Sequence, residues 1–139
     1  MSFDTYSFKN VNAIWGIIEF EEMADGDDII VVTPTGPQWN KTVGGKGDVV
    51  RSQTSDNSCT IEVKFLNTSK TLKQLYAQYL IDRETQVGVF PLWITNKNTG
   101  KKQIINNAWL MGEPPSSEGQ NVPIITVTFE GDFLTTIIE

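Results

Sequence analysis

The stretch Cys59-Thr60-Ile61-Glu62-Val63-Lys64-Phe65-Leu66-Asn67-Thr68-Ser69-Lys70-Thr71-Leu72-Lys73-Gln74-Leu75-Tyr76 changes its hydrophobic period halfway along. From Cys59 to Phe65 apolar and polar residues alternate, which places Cys59, Ile61, Val63 and Phe65 on one face of a half-buried strand. From Ser69 to Glu84 the period becomes helical. Leu72, Leu75, Tyr76, Tyr79 and Leu80 stand at i, i+3, i+4, i+7 and i+8, with Thr68 or Ser69 as N-cap. A strand with one wet face followed at once by a helix with one apolar stripe predicts a helix that packs across a sheet or plugs the end of a barrel. Each large side chain buried on that stripe contributes about 1.5–3 kcal/mol, much of it offset by ordering entropy.

Working outward, the same two-residue period recurs. Ile125 to Phe133 alternates over its whole length. Trp15 to Met23 and Ile29 to Thr33 read as two further strands joined through the tight-turn pair Asp25-Gly26. Val89 to Asn96 and Gln103 to Met111 form a hairpin whose tip, Asn98-Thr99-Gly100, offers a glycine for the left-handed position of a short loop. Tyr6 to Val11 adds a short first strand. Two stretches carry no apolar period. Pro34 to Asp48 holds two prolines, four glycines, two lysines and Trp39, and reads as a long irregular loop of the kind that is functional or disordered. Glu113 to Pro123 links the last two strands as an exposed loop. The fold class is therefore mainly β, a sandwich or barrel-like body with one flanking helix at about 69–84.

The chain has 139 residues, 39% of them hydrophobic, with four tryptophans, three tyrosines and seven phenylalanines. That suits one ordered domain over 1–139, with a real core but not two. No apolar run approaches the roughly 20 residues of a membrane helix, so no membrane insertion is expected. Asp4 and Lys9 interrupt what would be the apolar core of a signal peptide, so export is not expected either. The single cysteine, Cys59, cannot make an internal disulfide, which fits a reducing compartment. Net charge is −6, unevenly spread. Residues 1–32 carry seven acids and one base, residues 33–111 five acids and ten bases, and residues 112–139 five acids and no base. Acidic ends around a basic middle disfavour the single cationic surface of a nucleic-acid binder. They suit either an ordinary solubilising surface or contacts between copies of the chain.

Catalytic and metal-binding patterns are mostly excluded. There is no histidine, which removes serine–histidine and cysteine–histidine nucleophiles and histidine-ligated zinc. Gly44-Gly45-Lys46-Gly47 lacks the flanking residues of a phosphate loop, having Asn40 where the first glycine belongs and Gly47 where serine or threonine belongs. Asp25-Gly26-Asp27-Asp28 lacks the spacing of a calcium loop and reads as an acidic hairpin tip. No metal and no cofactor is expected. A glycosidase needs only two carboxylates, which leaves Glu19, Glu62, Glu113 and Glu130 as individual possibilities. Cys59 reads as an inert core thiol. Trp15, Trp93 and Trp109 lie within apolar strands and read as core. Trp39 stands among polar residues, either as an anchor inserted into a partner or folded back onto its own domain. Many strand edges remain to be hidden, and symmetric self-assembly hides them.

Several segments, taken in order, resemble the tail tube proteins of contractile-tailed bacteriophages. They are Thr5-Tyr6-Ser7-Phe8-Lys9-Asn10-Val11-Asn12-Ala13, then Thr60 to Ser69 followed by a helix containing Gln74-Leu75-Tyr76, then Asn107-Ala108-Trp109 to Pro114-Pro115, Glu118-Gly119, and the final strand Phe129 to Ile137. The resemblance covers most of the chain and thins from Val32 to Val50. It implies a non-catalytic structural protein of the virion, assembled in the host cytoplasm. Homohexameric rings would stack into a tube that conducts DNA without binding it specifically. Tail sheath, tape measure, baseplate and terminator proteins would be its partners, and the long loop would reach the adjacent ring. Related tubes occur in phage-like contractile injection systems. In such a tube Glu62, Glu130 and Asp132 are the expected lumen-lining acids, whose charge would repel phosphates. Trp39, Lys41 and Lys46 are the expected inter-ring residues, and Glu19, Glu21, Asp25, Asp27 and Asp28 the complementary acidic face. The competing reading is a monomeric β-sandwich that binds a carbohydrate or protein ligand, with Trp39 as its stacking residue.

Overall fold

The computed structural model describes residues 7–138. A 3-10 turn, Phe8–Asn10, leads into β1, Val11–Trp15, and β2, Ile18–Glu19. There follow β3, Ile30–Pro34; β4, Trp39–Val43; β5, Val49–Gln53; β6, Cys59–Leu66; and the helix α1, Lys70–Thr85. The chain ends with β7, Phe90–Asn96; β8, Lys101–Leu110; β9, Ile124–Gly131; and β10, Leu134–Ile138. Eight strands form one antiparallel sheet in the order β2-β1-β7-β8-β9-β6-β3, with β10 paired to β8 outside that path. β4 and β5 form a separate two-stranded sheet.

The expected strands over Cys59–Phe65 and from Ile125, the β7–β8 hairpin and the helix are all present. Gly100 at the hairpin tip takes the left-handed conformation its position requires, φ +70°. The N-terminal expectations differ. Residues 8–10 form a 3-10 turn instead of strand, with the Ser7 hydroxyl accepting from the Lys9 N–H, and Tyr6 lies outside the described residues. The single strand expected from Trp15 to Met23 is broken after Trp15. Gly16, at φ +62°, opens a two-residue turn that folds Ile18 back onto Trp15. A Cβ on Gly16 would also press on Phe90 at 3.0 Å. The segments flanking Asp25-Gly26 do not pair with each other, because β2 pairs with β1 and β3 pairs with β6.

The chain between β2 and β3 instead ties the two ends of the sheet together. Phe20 N–H donates to Ala13 O on the β1 side. Two residues on, Glu22 O accepts from Leu66 N–H, and Ala24 N–H donates to Lys64 O. Residues 20–24 span at most about 18 Å, so the sheet curls until β2 and β6 are close. Into the space enclosed go Trp15, Phe20, Ile61, Val63, Phe65, Leu92, Ile105, Val127 and Phe129. Phe129 lies 5.1 Å from Trp15 and 5.8 Å from Phe20, ring centre to ring centre. The one polar atom of Trp15 is satisfied, its Nε1–H donating to Ala108 O at 2.9 Å.

Helix α1 lies beside β2 and this crossing segment. Leu72 and Leu75 complete the core, Tyr76 and Tyr79 are half-buried, and Leu80 is exposed, so the inward stripe is shorter than its spacing predicts. Ser69 holds the N-cap position, but its hydroxyl donates to Glu21 O at 2.6 Å rather than capping the helix. Thr71 accepts from Glu21 N–H and donates to Glu19 O, so two small hydroxyls fix the helix to the strand it covers.

Candidate functional site

Strand alternation gives the curled sheet an outer surface with two contrasting parts. On β6 and β9 the odd-numbered residues face the core, so Thr60, Glu62 and Lys64 share the outer face with Thr126, Thr128 and Glu130. Glu62 stands opposite Thr128 on one side and Val31 of β3 on the other, while Glu130 stands opposite Thr60 and Trp109. The two glutamates are thus diagonal neighbours, about 7–8 Å apart at this spacing. Glu113, just past β8, joins them from the side, lining a hollow of about 280 Å³ with Thr126 and Thr128. This part of the surface is polar, rich in threonine, and carries three acids against the single cation Lys64.

The third acid expected there, Asp132, is held differently. It sits in the break between β9 and β10, exposed, with its carboxylate accepting from the Asn107 main-chain N–H at 3.1 Å and the Asn107 side-chain amide at 2.8 Å. Asp132 therefore staples the point where the chain leaves β6 and continues along β8 as β10. The neighbouring Gly131 is required by close approach, since a Cβ there would run into Ile105 and lie 3.1 Å from Cys59 Sγ. Cys59 is buried, and burial first and the Asp132 charge second push its thiol pKa up, as expected of an inert core thiol.

Across β1, β7, β8 and β10 the outer face carries an apolar strip set among Asn12, Thr95, Lys102 and Thr135. Ile14 stands opposite Trp93, Trp93 opposite Ile104, and Ile137 opposite Lys102. Trp93, expected in the core, is instead 43% exposed on this face, with the Lys102 ammonium 5.7 Å from its ring. Trp109 is half-buried beside Glu130. Only Trp15 of the three strand tryptophans is a core residue. Alternation places a residue on a face, and here both faces of β7 carry large apolar side chains.

Pro34 to Asp48 is not an irregular loop. Residues 39–43 and 49–53 pair as a regular hairpin, with Gly44–Asp48 as its tip, and every residue of both strands is exposed. One face of this arm presents Trp39, Lys41 and Val43 beside Gln53, Arg51 and Val49. Lys41 and Arg51 stand directly opposite each other, a like-charge pair that weakens an isolated hairpin. The Arg51 guanidinium lies over the Trp39 ring, 3.9 Å from its centre. Trp39 thus neither inserts into its own domain nor stands bare. Lys46 is at the tip. Arg51 was not distinguishable in the sequence, because its partners depend on the hairpin register.

The acids expected on a complementary face lie at the surface. Glu19, Glu21, Asp25, Asp27 and Asp28, together with Glu22, are all exposed along the crossing segment and the turn before β3. Asp27 and Asp28 border a hollow of about 320 Å³ floored by Phe8, Val11 and Ile94, with Lys101 also on its wall. Among the described residues the sole ion pair is Arg83 with Glu84, and no cluster of potential metal ligands is present. No described helix is long and apolar enough to cross a membrane.

A family model described as Bacteriophage PhiTE tail tube protein matches residues 3–132 of this chain. No curated protein matches it. Among solved structures, the anti-feeding prophage cap, the tube terminating cap of that particle, superposes with a TM-score of 0.66 at 11% identity, covering 100% of this chain and 94% of that one. The sheath/tube terminator of an extracellular contractile injection system in its extended state gives 0.65 at 11% identity, covering 99% of each chain. The sheath-tube complex of that system gives 0.62 at 10% identity, covering 97% and 93%. At these identities the likeness establishes the fold, a curled antiparallel sheet with one helix.

Proposed function

The chain belongs to the bacteriophage PhiTE tail tube protein family and is a structural component of a phage tail; from that premise we propose that six copies close into a ring and that stacked rings form the tube through which DNA leaves the particle. The observation that carries this reading is the threonine-rich, acidic outer face of β6 and β9. A conduit for DNA must present a surface that phosphates do not grip, and threonines with Glu62, Glu130 and the flanking Glu113 supply one. Asp132 adds its charge at the end of β9 while stapling Asn107. Glu62, Glu130 and Asp132 are accordingly assigned to the lumen. Ring closure suits the free edges of β10 and β3, which lie on different strands and so form the head-to-tail contact a closed ring needs. The apolar strip Ile14–Trp93–Ile104 then meets protein, and the tail sheath, tape measure, baseplate and terminator proteins are the assigned partners. The role is mechanical, without a catalytic step.

The test is E62K/E130K in assembled particles; Asp132 is left intact because the break between β9 and β10 depends on it. Tubes of normal diameter with genome release slowed at least tenfold are the expected result. Normal release from such particles contradicts the lumen assignment.

A further inference from the structure

Helix α1 turns a second stripe away from the core. Thr71, Leu72 and Leu75 are its buried residues, and on the opposite side Lys70, Lys73, Ala77, Leu80, Ile81 and Glu84 are all exposed. These positions recur at steps of three and four residues, the spacing of a seam that meets a second helix. Their charges run against the helix's own dipole. The first turn holds Lys70 and Lys73 and no acid, and Glu84 stands in the last turn, where the local partial charge disfavours each. The middle of the stripe is uncharged. Leu80 and Ile81 are 46% and 48% exposed, and Ile17, on the two-residue turn after β1, is 97% exposed. Between this turn and the helix lies a hollow of about 350 Å³ lined by Trp15, Ile17, Ile18, Ala77, Ile81 and Phe90. An isoleucine almost wholly in solvent on a tight turn, next to an apolar hollow, is surface that a partner covers.

The stripe is complementary to itself. Lys70 and Glu84 each lie seven residues from Ala77, on opposite sides of it. We propose that α1 pairs with α1 of a second copy, antiparallel across a two-fold axis at Ala77, with Lys70 of each copy against Glu84 of the other. The occupant is chosen by charge. Antiparallel pairing brings opposite charges together at both ends, whereas parallel pairing sets Lys70 against Lys70 and Glu84 against Glu84. Ala77, the smallest side chain of the stripe, falls at the crossing and lets the two helices approach closely. The aliphatic stem of Lys73 in one copy then covers Ile81 of the other. Glu84 Oε1 is 3.4 Å from Arg83 Nε, which leaves Oε2 for the second copy's Lys70. The contact goes beyond the tube reading. Rings and stacks join unlike surfaces head to tail, and a polar stack never sets a residue against itself. The pair is thus a form of the free chain, and it separates before a copy enters a ring.

The experiment measures sedimentation equilibrium of the purified full chain from about 1 µM to 1 mM, the range of a weak pair. Wild type, K70E, E84K and K70E/E84K are compared. Wild type is expected to dimerise, and each single reversal to raise the dissociation constant at least about tenfold. The double reversal restores opposite charges across the axis and is expected to recover most of the loss. A second measurement reads the geometry. A77C is expected to form an intermolecular disulfide under mild oxidation, because that position meets itself at the axis, with K46C at the exposed arm tip as the control for random collision. Cys59 is buried and stays out of the exchange. A wild-type chain that stays monomeric, or that passes from monomer to rings with no dimer, overturns the proposal, and the second result leaves the tube reading standing. A double reversal that recovers nothing overturns it too, as does A77C cross-linking no faster than K46C. Dimers without any rings or tubes support the pair and count against the tube reading. A monomer whose residues 17 and 81 gain protection from hydrogen exchange only when another tail protein is added assigns the stripe to that protein and overturns the pairing.

Discussion

β6 and the β4–β5 arm are both antiparallel strand structures of ordinary local geometry, yet β6 buries every second residue and the arm buries none. Cys59, Ile61, Val63 and Phe65 are each 0–1% exposed, whereas Val43, Val49 and Val50 are more than half exposed. The difference separates strands that the chain's own core holds from strands that it leaves in solvent. Alternation on β6 is written by its own core. On the arm, aromatic, aliphatic and cationic residues meet only one another among the described residues, with Arg51 over Trp39, and all stay exposed.

The largest expected effect lies in the core. Phe129→Ala removes a fully buried ring packed between Trp15 and Phe20, and costs about 3–5 kcal/mol in urea unfolding of dilute protein. Val50→Ala on the arm costs less than about 0.5 kcal/mol in the same assay. A comparable loss from both would erase the distinction between body and arm. Next comes Gly131→Ala, whose Cβ runs into Ile105 and crowds Cys59. Its overpacking costs about 1–3 kcal/mol, and a neutral effect would show that β9 and β8 approach less closely than described.

The smallest effect sharpens the boundary between helix and surface loop. Tyr76 O–H donates to Pro115 O at 2.7 Å and holds the segment after β8 against α1. Burial first, then the charges of Glu113 and Glu118, raise the Tyr76 pKa in the folded chain. The unfolded chain therefore loses this proton first, near pH 10. The folded state binds more protons there, so stability falls as pH rises above that value. Tyr76→Phe is expected to flatten that fall and to speed amide exchange in residues 112–123, read by hydrogen–deuterium exchange. An unchanged alkaline profile would remove Tyr76 from the coupling.

What the sequence made legible follows the same division. β6, β9 and the helix were readable because burial on one side imposes a period on residue type. The β7–β8 hairpin was readable because Gly100 must adopt a positive φ. The arm was not, since a hairpin wet on both faces leaves no burial period, and its glycines and prolines suggested irregularity instead. Gly16 hid inside an apolar run, so the turn that ends β1 was missed. Glu62 and Glu130 could be named singly from alternation, but their diagonal placement needed the β6–β9 register. Glu113 needed the path of the chain after β8, and Arg51 needed the β4–β5 register. Asp132 could be named as an acid at the end of β9, but its hold on Asn107 could not, because Asn107 reaches it only through the pairing of β8 with β9 and β10.

The central claim is that copies of this chain build a tube with the β6–β9 face turned to its axis. Cryo-electron microscopy of assemblies grown from the purified protein at neutral pH tests it most directly. The account predicts stacked six-membered rings with Glu62 and Glu130 pointing into the lumen and each arm lying across the boundary to the next ring. A strict monomer, or a tube in which the Glu62–Glu130 face is turned outward, would contradict it.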